Sequence, residues 1–272
     1  MADVLKAKAT ICVINYKTLD FTRLCLRSIR KFTRYLCEVI VVDNDSQDES
    51  LEYLKRLSWI RLIERRPEPG VPRGSYDEGA ALDLGLQSCN TEFYVSMHSD
   101  TFVQKDNWLT ELISCFRNDE NIACVGSDKI ELTPKWRILL KKATDFKSFK
   151  RKILQKPGSI SRFRYHNRTI CCIYRTDVVR RENLSFLMGR EQGLTAGQKL
   201  YFELLDRGYK TVELPASIMG RYIIHLAHAT QAVNPQEFSL QKRTIKKCNR
   251  IIDKILSLEI IQSILTDNSL DS

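Results

Sequence analysis

Three stretches of the chain place ligand-capable side chains directly after a short apolar run. Residues 93–103 form an apolar run interrupted by His98, Ser99 and Asp100 before it resumes as Thr101, Phe102 and Val103. A histidine and a carboxylate two residues apart can share a divalent ion or hold a phosphate-rich ligand. Asn15 and Tyr16 follow the run 10–14, and an acidic stretch from Asp43 to Asp48 follows the run 38–42. An aromatic ring can stack on a nucleobase, a carboxylate can accept from base or ribose N–H and O–H groups, and a metal can neutralise a pyrophosphate. Each stretch also has a plainer reading. Asp100 can cap a helix, and residues 43–48 can be an Asx-rich turn that caps the next one. The coincidence of three such ends favours a ligand role.

The remaining chemistry-bearing residues are sparse. Of the four histidines, His225 and His228 share one late apolar segment and His166 stands apart. His225 and His228 are three apart, so both face one site only if that segment is helical or turns there. No GxGxxG follows the first apolar run, and neither a GxxxxGK[ST] loop nor a GxSxG occurs. Dinucleotide, P-loop and serine-hydrolase readings therefore lack their signatures. The nine cysteines are odd in number and widely spread, and Cys171-Cys172 has no zinc-site spacing. Buried free thiols in a reducing compartment are the expectation.

The elements that must position these residues follow from periodicity. Apolar runs at 10–14, 38–42 and 59–63 read as buried strands, separated by helical patterns at 21–35 and 50–57, with Asp20 placed to cap the first. Alternation of this kind predicts right-handed βαβ units. A loop rich in proline and glycine covers 64–75, a helix 77–86, and the run 93–103 is the fourth strand. A helix at 108–116 and strands at 122–125 and 169–174 follow. Asp177 is placed to cap a short helix, and a 196–207 helix closed by Gly208 precedes a 209–214 strand. In a parallel sheet the polar strand ends converge on one rim, where open α/β sheets bind ligands. The fold expected is α/β, with a mostly parallel sheet flanked by helices and a C-terminal helical extension.

A chain of 272 residues, 43% hydrophobic and 28% charged, is an ordinary globular composition with ample core. No signal peptide or membrane span is read, so a cytoplasmic protein is expected, peripheral on the inner face of the cell membrane. The net charge of +10 points to anionic partners. Residues 135–156 hold nine Lys or Arg against one acid, Asp145, interleaved with apolar residues. That basic amphipathic pattern reads as an anionic membrane contact, a hairpin over an active site or a nucleic-acid patch. Positive charge alone gives no specific nucleic-acid reading. The organisation expected is a main domain over 1–235 carrying a basic insertion at 135–168, then a tail at 236–272. Apolar residues at helical spacing along 241–263 let the tail dock on the main domain, form a homodimer or touch a membrane.

Four stretches together resemble a known family: Ile11-Cys12-Val13-Ile14-Asn15-Tyr16-Lys17; Val41-Val42-Asp43-Asn44-Asp45-Ser46-Gln47-Asp48; residues 70–85 with Asp77-Glu78-Gly79; and Met97-His98-Ser99-Asp100. The chain is similar to GT-A-fold nucleotide-sugar glycosyltransferases of family 2, close to the bacterial rhamnosyltransferase-like branch. The similarity covers residues 9–130 and, more loosely, 185–230. Asp77 stands where that family usually has Asn, and His98 stands in place of the first aspartate of its DxD motif. The resemblance implies Tyr16 near the donor base, Asp43 on a uracil-like edge and Arg73 at the diphosphate. Asn15, Asp45, Asp77 and Ser99 complete the donor-binding set. It further implies Mn²⁺ or Mg²⁺ on Asp100 and His98, with His228 or His225 as an added ligand. The family's acidic pair, which deprotonates the acceptor, falls at Ala196-Gly197, so Glu191 is the substitute base. The implied activity is inverting transfer from a nucleoside-diphosphate sugar to a glycan or lipid-linked hydroxyl in polysaccharide biosynthesis at the cell envelope. A non-catalytic binding protein of the same fold is one rival. The other is a sugar nucleotidyltransferase, which would want a glycine-rich, lysine-containing opening loop.

Overall fold

The computed structural model describes residues 8–70, 74–128, 165–238 and 241–272. Strands β1 (Ala9–Asn15), β2 (Cys37–Asp43) and β3 (Ile60–Glu64) alternate with helices α1 (Leu19–Phe32) and α2 (Glu49–Lys55). Helix α3 (Ser75–Ser88), strands β4 (Phe93–His98) and β5 (Thr101–Val103), helix α4 (Trp108–Ser114) and strand β6 (Ile122–Gly126) follow. Beyond them come β7 (Cys171–Arg175), α5 (Thr176–Arg181), α6 (Gln198–Asp206), β8 (Lys210–Glu213), α7 (Ala216–Met219) and β9 (Ile223–His225). Helices α8 (Ala229–Val233), α9 (Lys242–Leu256) and α10 (Glu259–Thr266) end the chain.

The main sheet runs β3-β2-β1-β4-β7-β6-β8. β1 pairs in parallel with β2 and β4, and β2 with β3. Among the described strands of this sheet only β7 is reversed, being antiparallel to both β4 and β6, while β8 is parallel to β6. β6 therefore points the same way as β1, β2 and β4, and all four bring their C-terminal ends to one rim. This is the mixed α/β, mostly parallel architecture expected from the sequence.

Alternate residues of the strands feed two cores, as a sheet covered on both faces requires. Ile11, Val13, Val39, Val41, Val95 and Met97 pack with α1 and α4 on one face. Cys12, Ile40, Val42, Tyr94, Cys172 and Tyr174 pack with α3 and α6 on the other. α3 lies so close to the sheet that a Cβ at Gly85 would collide with Cys12 and the Tyr94 hydroxyl. All nine cysteines are free. Burial pushes the Cys12 and Cys171 thiols up to about 12, so they are neutral packing groups.

Several local expectations change. The fourth strand is two strands, because the chain turns at Ser99 and Asp100 and β5 leaves the main sheet. β5 pairs antiparallel with β9 in a separate two-stranded sheet, with Thr101 opposite His225. Asp20 lies in the first turn of α1, after Thr18 at the N-cap, and makes no cap. Asp177 sits inside α5, where it pairs with Arg181 at 3.2 Å, and Arg175 holds the cap position. Asp48 does cap α2, its carboxylate accepting from Ser50 N at 3.0 Å.

The tail is two helices broken at Ser257, and it docks on the main domain. The Arg27 guanidinium, 2% exposed, donates to Asp271 at 2.8 and 2.5 Å and to Asn268 Oδ1 at 2.8 Å. Tyr53 donates to Asp271 at 2.7 Å. Ile261 and Ile264 of α10 are buried in the same core as α1. Residues 135–164 of the basic insertion, and Arg73, lie outside the described residues. Among the described residues no helix is long and apolar enough to cross a membrane.

Candidate active site

A cavity of about 570 Å³ opens at the rim where β1, β4 and β6 end. Its floor is set by the break between β4 and β5. β4 delivers His98, the turn delivers Ser99 and Asp100, and β9 delivers His225 from the opposite side. The amide of Leu226 donates to the Asp100 carbonyl at 3.0 Å, which pins β9 to the turn. Pairing of β5 with β9 thus brings together residues far apart in the chain.

The three side chains form one cluster. One ligand atom from each of His98, Asp100 and His225 lies within 4.8 Å of the other two. His225 Nε2 is 3.4 Å and His98 Nδ1 is 3.9 Å from Asp100 Oδ1. Asp100 Oδ1 is buried and makes no hydrogen bond. A buried carboxylate oxygen without a donor is costly, and two imidazoles facing it complete a three-donor set open toward the cavity. The residues present fit a divalent cation. Burial opposes ionisation of Asp100, but the two imidazoles outweigh it and hold its carboxyl below the ordinary range.

A fourth residue orients the cluster. Glu78, on the first turn of α3, sits 3.0 Å from His98 Nε2 and accepts from Thr169 Oγ1. With Nε2–H donated to Glu78, the Nδ1 lone pair of His98 faces Asp100. A carboxylate behind a ligating histidine fixes its tautomer and raises its basicity. The same pairing appears in the acid–base properties. Burial favours neutral His98, yet Glu78 wins and raises its pKa, and His98 with Thr169 lowers that of Glu78 against its own burial.

The other sequence-derived residues divide into groups. Tyr16 lines the cavity; its hydroxyl donates to Glu237 and its ring meets Phe238 edge-on at 6.2 Å. Asp77 and Ser99 also line it, Asp77 accepting from Arg65 at 2.9 Å and Ser99 sharing a 3.1 Å bond with Thr18. Asn15 and Asp43 lie beneath the rim, both wholly buried. Asn15 Nδ2 donates to Asp43 at 2.6 Å, to Ser50 at 2.8 Å and to Ser46 at 3.1 Å, and its Oδ1 accepts from Thr22 at 2.6 Å. Asp43 also accepts from Ser46 N at 3.0 Å. Asp43 and Asp45 border a second concavity of about 470 Å³ with Arg65 and Arg66.

Two residues sit differently from what their proposed roles require. His228 lines the cavity but lies outside the three-residue cluster, in a left-handed conformation (φ 66°) with Nδ1 2.9 Å from Gln231. The chain turns after β9, so only His225 of the pair joins the cluster. Glu191 is exposed in a 3₁₀ turn between two left-handed glycines and lines neither concavity. The neighbouring Arg190 stacks over Tyr76 at 3.7 Å, which holds that turn beside the mouth. Ala196, where the family's acidic pair falls, does line the cavity. So does Asp128, two residues beyond β6, with Oδ1 buried and without a hydrogen bond, 3.6 Å from Arg168 Nε. Sequence reasoning missed Glu78, Asp128 and Thr169. Asp128 was reachable by the strand-end rule that selected Asn15, Asp43 and His98.

A mostly parallel sheet that gathers ligand-capable side chains at its C-terminal rim has the general form of a ligand-binding α/β fold. Residues 10–182 match the family model described as Glycosyl transferase family 2, and the chain belongs to that family. Among solved structures it is similar to the mannosyltransferase PcManGT from Pyrobaculum calidifontis in complex with GDP-Man and Mn²⁺. That match has a TM-score of 0.52 at 12% identity, over 98% of this chain and 86% of that one. It is also similar to S. aureus TarS 1-349, with a TM-score of 0.51 at 15% identity over 93% and 72% of the two chains. A third likeness is to GalNAc-T7 with UDP, GalNAc and Mn²⁺, with a TM-score of 0.52 at 13% identity over 82% and 44%. At these identities the likeness is one of fold. A comparison with curated proteins finds no match.

Proposed function

We propose that this glycosyltransferase moves a sugar, with inversion, from a nucleoside-diphosphate donor to a hydroxyl of a glycan or lipid-linked acceptor. The observation that carries the metal-dependent part is the buried Asp100 Oδ1, which makes no hydrogen bond and faces two imidazoles. His98, Asp100 and His225 would hold the cation, with His228 lining the path to it. Two nitrogen donors favour Mn²⁺ or another transition ion over Mg²⁺, which prefers an all-oxygen set. A bound cation supplies neutralisation of the charge that develops on the departing diphosphate.

The order of strands supports separate places for donor and acceptor. Tyr16, at the end of β1, is a platform for the base, with Asp77 and Ser99 beside it and Asp43, Asp45 and Arg65 around the adjoining concavity. Arg73 keeps its place as a diphosphate contact on the family resemblance. β4, at the cluster, and β6, before Asp128, are separated by β7 alone, so their ends stand about 10 Å apart. That gap accommodates a sugar ring and an attacking hydroxyl. Asp128 takes the acceptor's proton as the C–O bond forms at the anomeric carbon and the bond to the diphosphate oxygen breaks. The role expected of Glu191 passes to Asp128, because Glu191 is exposed and off the cavity lining. The narrower placement in the rhamnosyltransferase-like branch rests on the motifs at 11–17 and 41–48.

The test is a panel of UDP-, GDP- and dTDP-sugars with and without Mn²⁺. The expected result is metal-dependent release of nucleoside diphosphate, with product of opposite anomeric configuration by NMR. Asp128→Asn is expected to lower turnover by roughly 10²–10⁴ while nucleotide affinity holds. Release of pyrophosphate would instead indicate a nucleotidyltransferase. Binding without turnover would support the non-catalytic reading, which the absence of a carboxylate at Ala196 favours.

A further inference from the structure

Helix α9 carries six basic residues, Lys242, Arg243, Lys246, Lys247, Arg250 and Lys254, and one acid, Asp253. At about 100° per residue the six fall within an arc of roughly 140°. Cys248, Ile252 and Ile255, the buried residues of the same helix, centre on the opposite side. α9 is therefore held by its apolar stripe and turns outward a cationic stripe in which Asp253 is the one acid. Among the described residues none of the six makes an ion pair, and all six are exposed. In α1, by contrast, Arg23 pairs with Asp20, Arg27 with Asp271, and Arg30 covers Trp59. Where α9 passes into α10, Leu258 and Ile260 are 39% and 49% exposed, the latter on the helix whose Ile261 and Ile264 are buried.

We propose that the outward face of α9, with Leu258 and Ile260 at its end, docks on an anionic lipid membrane. Unpaired cations attract the charged headgroups, and the two aliphatic side chains supply apolar area to the acyl boundary. A nucleic-acid surface would match the charge but leave the aliphatic pair without a partner, since bases are held by aromatic stacking and hydrogen bonds. The helix that carries the stripe packs beside the site on its other face. α9 packs on α8, which contributes Thr230 and Gln231 to the cavity, and Cys248 Sγ approaches the Ala227 carbonyl at 3.6 Å. Docking through α9 would bring the cavity near the membrane surface and suit a lipid-linked acceptor; that consequence rests on the glycosyl-transfer reading, whereas the docking does not.

The test uses full-length protein and phosphatidylcholine vesicles with and without phosphatidylglycerol. Sedimentation is expected with the anionic vesicles alone, weakening as salt rises. The triple change Lys246→Glu, Lys247→Glu and Arg250→Glu should weaken it about a hundredfold, and Leu258→Ser with Ile260→Ser about tenfold while the salt dependence stays. A Gln version of the triple change should give an intermediate loss, and Mn²⁺–nucleotide binding should be the same in all variants, which reports the fold and the site separately. Absence of binding by the unaltered protein, or equal binding by the triple variant, overturns the proposal. So does tighter binding to unrelated RNA or duplex DNA that the same triple change abolishes. Vesicle binding with no sugar transfer to any acceptor leaves the docking standing and counts against the glycosyl-transfer reading.

Discussion

On the β1–β2 side of the rim, Asn15 and Asp43 have every polar atom engaged, tied to Thr22, Ser46 and Ser50 at the starts of two helices. On the β4–β6–β9 side, Asp100 and Asp128 each keep a buried oxygen without a hydrogen bond, and His225 approaches without completing one. Both halves are made of strand-end polar residues, so residue type does not distinguish them. Satisfaction does. A saturated network rigidifies the backbone it joins, whereas an unsatisfied buried acceptor marks where a ligand or a proton belongs. The first half is the frame, and the proposed function puts the chemistry in the second.

The comparison breaks most sharply at Asp100. Asp100→Asn should abolish cation-dependent nucleotide binding and lower turnover by about 10³ or more. It should leave the melting temperature in the absence of metal unchanged or raised, because it removes a buried charge. A variant that loses its fold along with its activity would place Asp100 in the frame instead.

Asn15→Ala is the converse. It removes donors from Asp43, Ser46 and Ser50 and an acceptor from Thr22 at one stroke. A cost of about 3 kcal/mol in unfolding free energy is expected, read by urea titration, with cation affinity of the folded fraction unchanged. A selective loss of nucleotide binding without destabilisation would move Asn15 into the ligand-binding half.

How much of this was legible in the sequence follows from the same division. The frame is local: each of β1, β2 and β4 is an apolar run with its polar residue next in line, so these strands and their shared rim were readable. The cluster is not local. Its third member depends on β5 leaving the main sheet and pairing with β9, which sets Thr101 opposite His225. Nothing in residues 93–103 reports that departure, since Thr101, Phe102 and Val103 continue the apolar pattern. The choice between His225 and His228, open in the sequence, depends on the left-handed turn at His228 after β9, which leaves only His225 in the cluster. Glu78 was hidden for another reason. On a helix start the side chain that faces the site depends on packing, and α3 turns Asp77 to Arg65 and Glu78 to His98.

Glu78→Gln sharpens the boundary between the halves, because it alters the partner that orients His98 while keeping an oxygen for Thr169. Cation affinity should fall by about 10–100-fold, with protein stability little altered. Glu78→Asp, which keeps the charge but shortens the reach, should recover part of the loss. Titration of Mn²⁺ by electron paramagnetic resonance reads both, independently of any sugar transfer. Equal affinity in all three proteins would mean that His98 is not a ligand.

The smallest effect lies away from the rim, where the tail meets α1. Burial raises the pKa of Asp271, but its hydrogen bonds with Arg27 and Tyr53 outweigh that and the net shift is downward. A carboxylate with a depressed folded-state pKa contributes stability at pH above its unfolded value, near 3.9, and loses it as pH falls through the folded value. The stability gap between the unaltered protein and Asp271→Asn should therefore be roughly 1–2 kcal/mol near neutrality and close below about pH 4. Chemical unfolding at several pH values measures it, and a gap that stays constant into acid would show that the docking of α10 depends on its apolar residues, Ile261 and Ile264, rather than on this ion pair.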